Sequence, residues 1–155
     1  LLNHIDNALT LYHLSPESIE LELTESSLLD KSDHVIELLH QIKQKNIKIA
    51  LDDFGTGYSS LAYLADYPID TLKIDRAFIS KIGQTKDNAI VYAIIAMGKA
   101  MGMTLVAEGV ENVEQIRYLR EQGCDYFQGY YFSKPLNAAD TTLYIAQQKT
   151  IIASH

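Results

Sequence analysis

Residues 47–75 read IKIALDDFGTGYSSLAYLADYPIDTLKID, and their pattern indicates the class of fold. This stretch opens with an apolar run that ends in two aspartates (47–53), passes through a glycine-containing turn, and closes with a second short run (71–75). Short runs rich in Ile and Leu predict strands, and the segment between them predicts a helix over 58–66. A strand, a helix and a second strand in succession are typical of a parallel sheet.

The same alternation continues in both directions along the chain. Further strands are predicted at 18–24, 104–108 and 126–130, and further helices at 3–13, 33–44, 87–101, 111–122 and 138–148. Two architectures fit this α/β pattern: a doubly wound open sheet, and a (β/α)₈ barrel present only in part, as about five βα units. The sequence contains no GxGxxG or P-loop motif that would favour a nucleotide-binding open sheet.

Composition limits the class of protein. The chain has 155 residues, of which 47% are hydrophobic and 21% charged, so it can bury one sizeable core. Its net charge of −7 argues against binding to DNA or RNA polymers, which requires a basic surface. The single cysteine, Cys124, excludes an intrachain disulfide and fits a reducing compartment. We therefore expect the protein in the cytoplasm, or on the cytoplasmic face of a membrane if a longer parent protein is anchored there.

Polar side chains mark the end of every predicted strand. Because the carboxyl ends of parallel strands meet at one edge, these side chains predict a single site. Period-two alternation lets five of them converge: Glu22, Asp52, Lys73, Glu108 and Gln128. Several carboxylates remain ionised at close range only beside a cation, and oxygen ligands suit Mg²⁺ or Mn²⁺. Two such ions suit phosphodiester hydrolysis.

Each acid also has a structural interpretation when it is taken alone. Asp75 is expected to be structural, Glu25 can simply accept backbone N–H groups from a loop, and Glu111 reads equally well as an acid in the first turn of a helix. The segment from Phe54 to Ser60 is an ordinary turn in this interpretation, although its position after two aspartates favours a loop that flanks the site.

Five segments together resemble the EAL domain family of cyclic di-GMP phosphodiesterases. They are LELTES (21–26), LDDFGTGYSS (51–60), LKID (72–75), AEGVE (107–111) and QGYYFSKP (128–135). The resemblance implies a TIM-like barrel that hydrolyses one phosphodiester bond of cyclic di-GMP to linear pGpG with two Mg²⁺ or Mn²⁺ ions.

The resemblance also implies a function for individual residues. Glu22, Asp52 and Asp53 resemble metal ligands, Lys73 resembles the lysine that holds the attacking water, and Glu108 resembles the essential glutamate. Gln128 resembles a substrate-binding glutamine. Glu25 and Glu111 are expected to stabilise loops, and Glu25 resembles the glutamate that steadies the DDFGTGYSS loop, which in the family links the site to dimerisation.

The Glu-Ala-Leu signature and the metal-binding asparagine that precedes Glu22 in the family have no match in this sequence. We therefore expect residues 1–155 to be the C-terminal portion of one such domain, with its first strands missing. By itself the chain is expected to bind metal poorly, to hydrolyse little and to self-associate, as a homodimer or through its open sheet edges.

Three functions stay open at this stage. The first is a metal-dependent phosphodiesterase, which the presence of every later motif favours. The second is a non-catalytic cyclic di-GMP receptor, and the third is a dimerisation or regulatory module. Upstream sensory or GGDEF-type domains are expected partners in a longer protein.

Overall fold

The computed structural model describes residues 2–29, 33–55 and 64–153. These residues form one five-stranded parallel sheet in the order β1-β2-β3-β4-β5. The strands are β1 Glu20–Thr24, β2 Lys48–Phe54, β3 Thr71–Ile74, β4 Thr104–Ala107 and β5 Tyr126–Phe127. Because neighbouring strands follow chain order without the reversal of a doubly wound sheet, the arrangement is that of consecutive βα units in a barrel. The predicted α/β fold is confirmed.

Six α-helices accompany the sheet in the described residues. They are α1 Leu2–Tyr12, α2 Asp33–Gln44, α3 Arg76–Ile79, α4 Thr85–Ala100, α5 Val113–Gln122 and α6 Ala138–Ala153, with 3₁₀ turns at Pro16–Ser18 and Glu25–Leu29. The short helix α3 is not predicted from the sequence. Asp75 caps its N-terminus, because the Asp75 side chain accepts a hydrogen bond from the Ala77 N–H. Most of the predicted helix over 58–66 lies outside the described residues. None of the described helices is long and apolar enough to cross a membrane.

At the carboxyl edge of the sheet, two predicted boundaries differ from the structure by two residues or more. Helix α5 begins at Val113 rather than at 111, because the Asn112 side chain caps it in a capping box with Gln115. Glu111 therefore precedes the helix instead of lying in its first turn. Strand β5 ends at Phe127 rather than at 130, because the chain turns after Phe127 and the Tyr131 N–H donates a hydrogen bond to the Val110 carbonyl at 3.0 Å.

Strand β1 also starts later than the sequence predicts. The prediction places its start at 18, whereas β1 begins at Glu20. Pro16 opens a 3₁₀ turn that the Ile19 N–H closes by donating to the Pro16 carbonyl, so the preceding residues are not extended.

The two faces of the sheet differ sharply. The outer face carries apolar side chains that are completely buried against the helices, among them Ile49, Leu51, Leu72, Ile74 and Leu105. Register pairs Glu20 with Lys48, and Thr71 with Thr104, on the opposite face. Side chains alternate along each strand, so the core lies on one side and a polar inner face on the other. The carboxyl end of this inner face holds the candidate site.

Candidate active site

Lys73 lies at the centre of the site, on the inner face of β3. Its Nζ atom is 2.7 Å from Glu22 Oε1, 3.1 Å from Asp52 Oδ1 and 2.8 Å from Glu108 Oε1. The Lys73 side chain is only 9% exposed, whereas that of Glu22 is 53% exposed, so the group is open to solvent on the β1 side. The structure thus brings together four of the residues that strand alternation places on one face.

A β-bulge brings in Asp53. The register between β2 and β3 shifts between Leu51 and Phe54, so that Asp52 and Asp53 together oppose one residue of β3. Asp53 has a left-handed backbone, with φ of 55°, and its N–H donates to Asp52 Oδ1 at 3.0 Å. Regular alternation would turn Asp53 towards the core. The bulge instead leaves carboxylate oxygens of Asp52, Asp53 and Glu108 within 4.8 Å of one another.

Burial and the charges in this group shift the pKa values of Lys73, Glu108 and Asp53. Burial by itself lowers the pKa of Lys73, but its hydrogen bonds to Glu108, Glu22 and Asp52 raise that pKa well above its ordinary value. Lys73 therefore stays an ammonium at all physiological pH values. Burial raises the pKa of Glu108 despite the opposing effect of Lys73, which makes this carboxylate a stronger base. The charge of Asp52 is the main cause of the raised pKa of Asp53.

The donor set fits a divalent cation. One ammonium among the carboxylates of Glu22, Asp52, Asp53 and Glu108 leaves a local charge of about −3 when all four are ionised. Each of these four residues offers carboxylate oxygens, the donor that Mg²⁺, Mn²⁺ and Ca²⁺ prefer. The arrangement can hold a cation, accept a proton at Glu108 and offer a fixed positive charge at Lys73.

Gln128 follows β5 and lies beside this group. It lines a cavity of about 220 Å³ together with Glu108, Glu111, Arg76 and Tyr130. The Gln128 carbonyl accepts the Val110 N–H at 3.0 Å, which ties the chain after β5 to the chain after β4. The sequence pattern did not identify Arg76 as a site residue. The usable signal for Arg76 is a basic residue that directly follows a strand-end acid.

Glu25 and Glu111 each contact a loop near the site. Glu25 is 3% exposed and its Oε2 accepts the Gly55 N–H at 2.9 Å. This contact reaches the start of the DDFGTGYSS segment, whose residues 56–60 lie outside the described residues. Glu111 Oε1 accepts a hydrogen bond from Arg76 Nη2 at 2.6 Å. The stabilising function assigned to each residue stays a prediction.

Comparison with known proteins identifies one family. The model of the EAL domain matches residues 1–135. The cyclic di-GMP phosphodiesterase NbdA of Pseudomonas aeruginosa is 44% identical over 140 residues, which are 90% of this chain and 18% of NbdA. The chain thus spans less than a fifth of the length of that curated relative.

Solved structures agree with this comparison. The PaMucR phosphodiesterase in complex with cyclic di-GMP superposes with a TM-score of 0.86 and 40% identity, over 91% of this chain and 57% of that one. BlrP1 of Klebsiella pneumoniae, in complex with manganese and cyclic di-GMP, superposes with a TM-score of 0.80 and 32% identity, over 86% of this chain and 34% of that one.

Proposed function

The chain belongs to the EAL domain family, and on that premise we propose that it carries the catalytic residues of a phosphodiesterase that hydrolyses cyclic di-GMP to linear pGpG. The observation that carries the proposal is the contact of Lys73 with Glu22, Asp52 and Glu108 at the carboxyl edge of neighbouring parallel strands. Acids and a lysine gathered in this way supply the groups that phosphodiester hydrolysis requires.

The metal ligands in this proposal are Glu22, Asp52 and Asp53. Their oxygens suit Mg²⁺ or Mn²⁺, and two ions are proposed for the intact site. The manganese in the BlrP1 complex supports this choice of metal. When bound, such ions neutralise phosphate charge and lower the pKa of a coordinated water.

Lys73 and Glu108 are the proposed catalytic residues. Lys73 orients the attacking water and, because it stays protonated, stabilises the negative charge that develops on the phosphate. Glu108 accepts a proton from the water as its oxygen bonds to phosphorus. The bond from phosphorus to one ribose oxygen breaks, and that oxygen leaves as an alcohol after it takes up the proton that Glu108 accepted, relayed through solvent. Gln128 contacts the substrate from the cavity beside Glu108.

The domain boundaries and partners are part of the same proposal. Residues 1–155 form the C-terminal portion of one EAL-type domain, whose Glu-Ala-Leu strands lie elsewhere in the parent protein; coverage of 57% of the PaMucR chain supports this. Edge strands β1 and β5 favour a homodimer or other self-association. The relative MucR is named a bifunctional diguanylate cyclase and phosphodiesterase, which supports a GGDEF-type neighbour. A cytoplasmic location follows from the proposed nucleotide substrate.

Binding of Mn²⁺ to the parent protein tests the metal site. Calorimetric titration is expected to detect binding in the wild type and an affinity lower by about tenfold or more in Glu22→Gln, because a proposed metal ligand is lost. Glu121→Gln is the matched control, since it removes the same charge at an exposed position of α5. Equal affinities in all three proteins would contradict the site.

Turnover by the parent protein tests the enzyme. With Mn²⁺ present, chromatography is expected to detect pGpG, whereas Lys73→Met is expected to reduce the rate by about 100-fold or more because the fixed cation is lost. Cyclic di-GMP binding without turnover by the wild type would instead select the receptor function. Absence of both binding and turnover would select the dimerisation or regulatory module.

A further inference from the structure

Four residues outside the acid group tie the end of β4 to the turn that follows β3. We call Arg76, Gly109, Glu111 and Gln115 the β4 clamp. Arg76 directly follows Asp75, the residue that begins α3, while Gly109 and Glu111 lie in the loop between β4 and α5. The clamp therefore joins the start of α3 to the loop after β4, and both segments emerge at the carboxyl edge of the sheet.

The first contact of the clamp crosses Gly109. Arg76 Nη2 donates to Glu111 Oε1 at 2.6 Å, and the arginine stem lies directly against Gly109 on its way there. A Cβ atom at Gly109 would lie 2.2 Å from Arg76 Cγ, and its φ of 68° is a conformation that residues with side chains rarely adopt. Only glycine leaves room for the arginine to pass over the end of β4.

The second contact is made by Gln115, which is 5% exposed. Its Oε1 accepts the N–H groups of Glu111 at 2.7 Å and Asn112 at 3.2 Å. Its Nε2 donates to the carbonyl of Ile79, the last residue of α3, at 3.1 Å. One buried amide thus joins the loop after β4, the start of α5 and the end of α3.

Glu108 lies between these anchored segments. Its N–H donates to the Ile74 carbonyl at 3.0 Å on the β3 side, and the Val110 N–H donates to the Gln128 carbonyl at 3.0 Å on the β5 side. Its Oε1 accepts from Lys73. Because the residues that follow Glu108 are held by Arg76 and Gln115, its carboxylate has little freedom to move away from Lys73 and the aspartates.

The exposure of the ion pair distinguishes positioning from stabilisation. The side chains of Arg76 and Glu111 are 62% and 46% exposed, and ion pairs this open to solvent contribute little to folding stability. Small displacements of a catalytic group, in contrast, have large effects on its chemistry. We propose that the β4 clamp positions Glu108 for cation binding and catalysis, an inference that rests on the proposed function of the acid group.

Variants of Arg76 and Glu111 in the 155-residue chain test this proposal. Hydrogen exchange by NMR is expected to show the Glu108 and Val110 amides exchanging about tenfold faster in Arg76→Gln and in Glu111→Gln, with the denaturation midpoint unchanged. Arg76→Lys keeps the charge and most of the stem, so it is expected to retain protection. Arg120→Gln, which removes an exposed arginine from α5, is the matched control. Unchanged exchange in both clamp variants would overturn the proposal.

The Mn²⁺ affinity of the parent protein is a second measurement, and it distinguishes positioning of Glu108 from a simple effect of charge. Removal of the positive charge of Arg76 near an acidic site should tighten cation binding if charge alone mattered. If the clamp positions Glu108, Arg76→Gln is expected to bind Mn²⁺ several-fold more weakly than the wild type, and Arg76→Lys is expected to retain the wild-type affinity. Tighter binding by Arg76→Gln would overturn the positioning function. If the wild-type parent protein binds no Mn²⁺ but the exchange effect is present, the clamp stands and the proposed metal site fails.

Discussion

The outer and inner faces of the sheet are built from the same five strands but have opposite properties. On the outer face Leu51, Leu72 and Leu105 are fully buried and belong to the hydrophobic core. On the inner face Lys73 is surrounded by carboxylates that leave a negative charge in excess. Burial of apolar side chains on the outer face stabilises the fold, whereas the excess of negative charge on the inner face disfavours folding and serves the chemistry of the site.

The largest effect is expected from Leu72→Ala. This substitution removes a fully buried side chain of the outer face and should lower the free energy of unfolding by about 2–5 kcal/mol in chemical denaturation. Lys48→Ala changes an exposed residue of the inner face in the neighbouring strand, and is expected to alter stability by no more than about 0.5 kcal/mol. Similar effects of the two substitutions would remove the distinction between the faces.

An intermediate effect is expected at the bulge that brings Asp53 to the inner face. Asp53→Ala and Asp53→Gly both remove the carboxylate, but only glycine adopts the φ of 55° without strain. The glycine variant should therefore be the more stable by about 1 kcal/mol. At Lys48, which has no positive φ, the order should reverse and alanine should be the more stable. The same order at both positions would show that the bulge is not maintained in solution.

The smallest effect is expected from Cys124, which packs in the core on the outer side. Burial raises the pKa of its thiol from 9.0 to about 11. The unfolded thiol ionises first, so its contribution to stability is complete below pH 9 and is lost as the pH rises towards 11. Between pH 7 and 9.5 the wild type should lose under about 1 kcal/mol more unfolding free energy than Cys124→Ala. Equal losses would mean that the thiol is not buried.

Strand alternation accounts for the part of the site that can be predicted from residues. Because period two is a property of every strand, the register of Glu22, Asp52 and Lys73 follows once the strands are located. The position of Asp53 does not follow from alternation, because the bulge that reorients it depends on the partner strand β3. Arg76 was missed for a similar reason: its partner Glu111 lies 35 residues away in the sequence.

The order of the five strands, the apolar and polar faces of the sheet, and the motifs of the family can be predicted from the residues alone, because these features depend on periodicity and residue type within short segments. Tertiary structure alone decided where β5 ends, how two adjacent aspartates come to share one face, and which residues hold Glu108. Those features arise from backbone hydrogen bonds and close contacts between segments that are distant in the chain. Such contacts cannot be predicted from the residues of one short segment.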